Sequence, residues 1–158
     1  MRLPSFHRPL SERLARLKQL PLFATLNTRE LRIVEGLLHQ REYLAGEVIF
    51  DEGEDGQAIY FIFEGRVLIC RQGQPVDGFI VELGEGTLLG EQALLDHVPR
   101  AAQARAATAC KMGVLFRAEF ENLLKTDARI ASKVSLQLAR YLSRRLRESV
   151  MRTDEVHL

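Results

Sequence analysis

Apolar positions along this chain change their period twice. Leu14, Leu17 and Leu20 follow Ser11 at helical spacing as far as Pro21, and Leu31, Val34, Leu37 and Leu38 repeat the pattern behind Asn27. That spacing predicts two helices, each burying one stripe. Asn27-Thr28-Arg29-Glu30 is expected to open the second as a reciprocal cap, with the Asn27 and Glu30 side chains each serving the other's backbone N–H.

From residue 42 the period shortens. Apolar runs at 48–50, 58–63, 67–70, 79–83, 87–89, 103–106 and 112–116 are separated by turns such as Gly53-Glu54-Asp55-Gly56, Gly65, Gly73-Gln74-Pro75, Gly78 and Gly84-Glu85-Gly86. Many short strands with glycine at the corners predict a mainly β fold, a small double-stranded β-helix (jelly-roll) barrel. Helical spacing returns after Phe116. Phe120, Leu123 and Leu124 mark a short helix, and Thr126 or Asp127 caps a longer one bearing Ile130, Val134, Leu138, Leu142, Leu146 and Val150. A stripe of that length needs more than one neighbour. Part of it is expected to cover the barrel and the distal part to pair with a second copy, as a homodimer. The expected layout is one domain over 1–158, with a leader at 1–14, N-terminal helices at 15–41, a β-roll at 42–116 and C-terminal helices at 117–152.

Composition narrows the function classes. The 158 residues are 46% hydrophobic and 27% charged with a formal net charge of +1, so the chain as a whole exerts no pull on nucleic acid. Cys70 and Cys110 form no CxxC pair and are expected as buried, reduced thiols. No apolar run approaches a membrane span and the N-terminus lacks a signal-peptide layout, which makes the cytoplasm the expected location. His39 and His97 have no companions at metal-ligand spacing, so no metal or other cofactor is expected. No nucleophile–base pair or paired-carboxylate site stands out either, and the expectation is a protein without catalytic activity.

Candidate chemistry concentrates in Gly90-Glu91-Gln92-Ala93-Leu94-Leu95-Asp96-His97-Val98-Pro99-Arg100-Ala101-Ala102. Folded around one helical turn, this segment would converge one carboxylate, one guanidinium and several backbone donors. Arg100 suits phosphate oxygens and Glu91, which only accepts, suits a sugar hydroxyl. The other reading is an internal Glu91–Arg100 ion pair across a surface loop, and spacing alone leaves both open.

The segment resembles the phosphate-binding cassette of the cyclic-nucleotide-binding domain family, which typically reads Phe-Gly-Glu, a small apolar turn, then Arg-Ala-Ala. Here the corresponding residues are Leu89-Gly90-Glu91, Ala93-Leu94-Leu95 and Pro99-Arg100-Ala101-Ala102, with Leu89 in place of the aromatic and Gln92 in place of an apolar residue. A second similar stretch is Gly53-Glu54-Asp55-Gly56 followed by Ile59-Tyr60-Phe61-Ile62 and Gly65, and the likeness runs over roughly residues 15–150. The resemblance implies that Glu91 holds a ribose hydroxyl and Arg100 a cyclic phosphate, while Gly90, Gln92, Ala101 and Ala102 bring backbone to the ligand. Alanine at 101 implies cyclic AMP as the ligand, with cyclic GMP the alternative. Strand residues such as Val81 are expected along the base pocket. Arg145 either stacks on the purine or lies on a solvated helix face.

The leading expectation is a non-catalytic cyclic nucleotide sensor whose C-terminal helix moves on binding and acts in trans on a protein effector. A helix-turn-helix segment like that of the bacterial activators is missing, so direct sequence-specific DNA binding is not expected. The competing expectations are a ligand-independent dimeric scaffold or adaptor, a receptor for another cyclic nucleotide or dinucleotide, and an arginine-rich helix at a nucleic-acid or acidic membrane surface.

Overall fold

The glycine-punctuated apolar runs fold as short antiparallel strands. The computed structural model describes residues 10–71 and 78–156, so the predicted turn at Gly73-Gln74-Pro75 and most of the predicted leader lie outside it. The order is α1 (Leu10–Lys18), a 3-10 turn (Pro21–Phe23), α2 (Thr28–Leu37), β1 (His39–Tyr43), β2 (Val48–Phe50), β3 (Ala58–Glu64), β4 (Val67–Cys70), β5 (Val81–Leu83), β6 (Leu88–Leu89), α3 (Gln92–Leu95), β7 (Gln103–Ala106), β8 (Cys110–Phe116), α4 (Arg117–Thr126) and α5 (Ala128–Val156). The strands form two four-stranded sheets, β1-β8-β3-β6 and β2-β7-β4-β5. With the helices before and after them, this is the jelly-roll architecture expected from the alternation.

By contact density the chain divides into two units, residues 36–123 and the helices on either side of that range. In the β unit, Ile49, Phe50, Ile62, Val67, Leu89, Ala104, Ala106, Cys110 and Met112 bury together, each sheet supplying part of the set. Cys70 and Cys110 are buried free thiols, and burial pushes the Cys110 thiol up.

The sheet begins three residues earlier than the change of period indicates. His39–Tyr43 pairs with β8 from His39↔Val114 to Tyr43↔Cys110, but it is an edge strand with exposed residues at four of its five positions. Such a strand carries no apolar alternation to read. Polar side chains there also discourage pairing with another chain.

In the helical unit, the reciprocal cap forms as expected. Asn27 N–H donates to Glu30 Oε1 at 3.0 Å and Glu30 N–H to Asn27 Oδ1 at 2.9 Å. The same Glu30 oxygen accepts from Lys133 Nζ at 2.7 Å, tying α2 to α5. Asp127 rather than Thr126 caps α5, its Oδ1 accepting from Ile130 N–H at 3.3 Å. Ile130, Val134 and Leu138 are buried along this helix, whereas Leu146 and Val150 are exposed. Among the described residues, no helix is long and apolar enough to cross a membrane.

Candidate functional site

The cassette is built on a backbone turn that only glycine adopts easily. Gly90 follows β6 with φ +75°, and α3 starts immediately behind it, with Ala93 N–H donating to Gly90 O and Leu94 N–H to Glu91 O, each at 3.1 Å. The single turn ends when Asp96 N–H reaches back to Gln92 O at 2.9 Å. Glu91 is 7% exposed at the start of this turn and caps none of its N–H groups through its side chain. Gln92 is exposed, while Ala93 and Leu94 anchor the turn in the core.

The loop between β2 and β3 holds the far end of the cassette. Arg100 N–H donates to Glu54 O at 2.7 Å, Gly53 N–H to Arg100 O at 2.8 Å, and Gly56 N–H to Val98 O at 3.3 Å; Asp55 and Pro99 form a bridge between them. Gly53-Glu54-Asp55-Gly56 is therefore a clamp on residues 98–100 as well as a turn. Its composition marks the turn, and only the fold brings it to Arg100.

Arg100 is 9% exposed, and its guanidinium is pinned by backbone oxygens. Nη2 donates to Ala58 O at 2.7 Å and Nη1 to Gly90 O at 3.3 Å. The Phe50 ring lies beneath it, 4.2 Å from Cζ to the centroid, with Tyr60 at 5.7 Å and the two rings tilted together at 5.6 Å. Burial pulls the Arg100 pKa below the usual guanidinium range; the charges of Tyr60, Glu54 and Glu91 oppose that shift and Arg117 adds to it. A desolvated cation held this way gains strongly from an anion within hydrogen-bonding distance. Phe50 and the Ala58 carbonyl were not legible as site elements, because nothing local marks which ring or carbonyl a distant arginine will meet.

Leu89, Gly90, Glu91, Gln92, Arg100, Ala101 and Ala102 thus fall in one cassette of the β unit. Leu89 points into the core cluster, so it contributes backbone and packing. Ala101 is exposed and Ala102 half-buried, and the Ala101 carbonyl accepts from Arg71 Nη1 at 3.4 Å. Val81 is exposed on β5 in register with Ile69, which pairs in turn with Ala104, two residues past Ala102. Arg145 is on α5, in the helical unit, with its guanidinium 5.8 Å from the Tyr141 ring centroid. His97 is exposed and bonds Arg117, and His39 pairs with Glu119; among the described residues no group of His, Cys, Asp or Glu is placed to hold a metal ion.

Residues 40–127 match the model of the cyclic nucleotide-binding domain. The chain belongs to that family. This cyclic nucleotide-binding domain is 34% identical over 141 residues to the cyclic AMP receptor protein of Thermus thermophilus, covering 87% of this chain and 62% of the receptor. It is 36% identical over 114 residues to a cyclic nucleotide-gated potassium channel of Rhizobium etli, covering 72% of this chain and 31% of the channel. The chain therefore spans less than two thirds of either relative. Among solved structures, the Thermus thermophilus catabolite activator protein superposes with a TM-score of 0.74 at 34% identity, over 87% of this chain and 63% of that one. A cyclic nucleotide-binding domain from Methylobacillus flagellatus gives 0.77 at 26% identity, over 90% and 80%. The family makes this chain a regulatory, cyclic nucleotide-binding module.

Proposed function

We propose that this domain is a non-catalytic cyclic AMP sensor. The observation that carries the reading is the buried Arg100 guanidinium, locked by the Ala58 and Gly90 carbonyls at the end of a Gly90–Ala102 cassette. In this reading Arg100 takes the cyclic phosphate, Glu91 accepts from the ribose 2'-hydroxyl, and the N–H groups of Gln92, Ala101 and Ala102 face the ligand. Ala101 offers no hydroxyl to a guanine, which supports cyclic AMP over cyclic GMP. Relatives named as a cyclic AMP receptor and as cAMP-dependent protein kinase regulatory subunits support the same ligand.

The output acts in trans. Nucleotide binding shifts the position of α5, whose distal apolar stripe pairs two copies and presents a changed surface to a protein effector in the cytoplasm.

Calorimetric titration of nucleotide-free protein with cyclic AMP and with cyclic GMP tests the reading. Micromolar or tighter binding of cyclic AMP, weaker binding of cyclic GMP and loss of both in Arg100→Ala are expected. Absence of heat and of competition against a fluorescent cyclic nucleotide would remove it.

A further inference from the structure

Arg117 is the first residue of α4, yet its guanidinium serves the cassette. Nη1 donates to Gly56 O at 2.7 Å, to Ala93 O at 2.9 Å and to Asp96 O at 3.2 Å, while Nη2 lies 2.9 Å from His97 Nδ1. The residue is 8% exposed, and Nε is 4.0 Å from the Glu121 carboxylate. A cation this deep is tolerated only where its donors are met, and here they are met by carbonyls from two separate segments, the β2–β3 loop and the cassette.

The consequence reaches Arg100. An isolated single turn of helix has almost no stability of its own, so the shape of α3 depends on what holds its ends. Arg117 supplies donors to carbonyls that the end of α3 leaves open. Gly56 links the two arginines: its carbonyl accepts from Arg117, and a Cβ on it would stand 3.0 Å from Ala93 Cβ and 3.4 Å from Arg100 Cζ. A shift of that loop therefore reaches the Arg100 guanidinium.

His97 makes the arrangement conditional. Arginine only donates, so Nδ1 must accept, which requires a neutral imidazole carrying its proton on Nε2. The ring is exposed and open to protons from solvent. Protonation removes the acceptor and sets an imidazolium beside the guanidinium. Arg117 is the charged group in contact with the ring; Glu121 on α4 lies 4.0 Å from Arg117 Nε, Asp96 is the residue before His97, and Asp55 and Glu54 belong to the loop clamped to residues 98–100.

We propose that Arg117 is a positioning residue for the nucleotide site, and that neutral His97 completes its hold, so that nucleotide affinity falls as His97 is protonated. The inference rests on the cassette being the nucleotide site. Its sign follows from the contact: the binding-competent cassette contains the neutral ring as an acceptor, so affinity is full at alkaline pH and declines toward acid.

Calorimetric titrations of the full chain with cyclic AMP and cyclic GMP, from roughly pH 8 to roughly pH 5.5, test it. The wild-type affinity is expected to fall about 3- to 10-fold, the weight of one partly exposed hydrogen bond. His97→Gln, whose amide oxygen still accepts from Arg117, flattens the profile, and His39→Gln leaves the slope in place. Arg117→Lys, confirmed as folded by its melting curve, weakens binding at pH 8 by about tenfold, since one ammonium lacks the fork that reaches both segments. Should Arg117→Lys fail to fold, the His97→Gln profile decides alone. A flat wild-type profile, or an equal slope in His97→Gln, overturns the proposal while leaving nucleotide binding intact. Failure of wild type to bind either nucleotide at any pH removes the sensor reading and this inference together.

Discussion

A Cβ on residue 90 would fall on Nη1 of Arg100 and 3.2 Å from its Cζ. Gly90 also has φ +75°, a conformation that costs other L-residues about 1–2 kcal/mol. The glycine therefore serves both the turn and the space occupied by the arginine. Gly90→Ala is expected to lower the thermal midpoint by several degrees and to reduce cyclic nucleotide affinity nearly as far as Arg100→Ala does. Titration and melting of the two variants check this. Wild-type affinity in Gly90→Ala would mean that nucleotide binding does not need Arg100 in the rotamer seen here.

Glu91 and the ribose hydroxyl can be tested as a pair. If the buried carboxylate accepts from the 2'-hydroxyl, a 2'-deoxy analogue loses about tenfold or more against wild type, the weight of one hydrogen bond to a charged group. In Glu91→Ala the same analogue and its parent should bind almost equally. The double-mutant cycle isolates that contact from the general cost of altering the cassette. Equal discrimination in both proteins would place the hydroxyl elsewhere.

The parts of the fold that were readable from sequence are those whose signal is local. The Asn27–Glu30 cap is written within four residues, and the two side-chain–backbone bonds form as read. The order of apolar runs and glycine corners gave the jelly roll. β1 escaped because an edge strand with polar, exposed residues has no alternation. Leu124 looks like a core position by spacing and is exposed, since α4 ends two residues later. The site divides in the same way. Glu91 and Arg100 share one contiguous segment, whereas Phe50 and Ala58 on the strands and Arg117 on α4 join it at sequence separations that no local pattern encodes.

Glu30 should give the helical unit an acid-sensitive joint. Its backbone hydrogen bond with Asn27 and its contact with Lys133 hold the carboxyl below its ordinary value of 4.5, against the opposing effect of burial. A carboxyl depressed in the folded state contributes stability that is present above that ordinary value and is lost as pH falls through the folded value. Glu30→Gln should therefore lower the melting temperature at neutral pH, and the gap to wild type should close as the pH drops below 4.5. Asn27→Ala, which removes one half of the cap, is expected to cost about 1 kcal/mol. Melting curves across that pH range decide the matter; a gap that widens toward acid would contradict the sign.

The distal face of α5 gives the expected pairing of two copies a physical test. Leu146 is 66% and Val150 53% exposed, four residues apart on one helix face that continues the stripe of Ile130, Val134, Leu138 and Leu142. Covering such a side chain fully contributes about 1.5–3 kcal/mol. Two copies of the stripe supply the complementary apolar surface that one copy lacks, with Arg144, Arg145 and Arg147 interspersed along the same segment. Sedimentation should show a concentration-dependent dimer, and Leu146→Glu combined with Val150→Glu should be monomeric with an unchanged melting curve for the β unit. If pairing is coupled to nucleotide, cyclic AMP changes the dimer constant in wild type by the same factor that dimerisation changes nucleotide affinity. A wild-type protein that stays monomeric at all concentrations, with and without nucleotide, would rule out this face as the interface between copies.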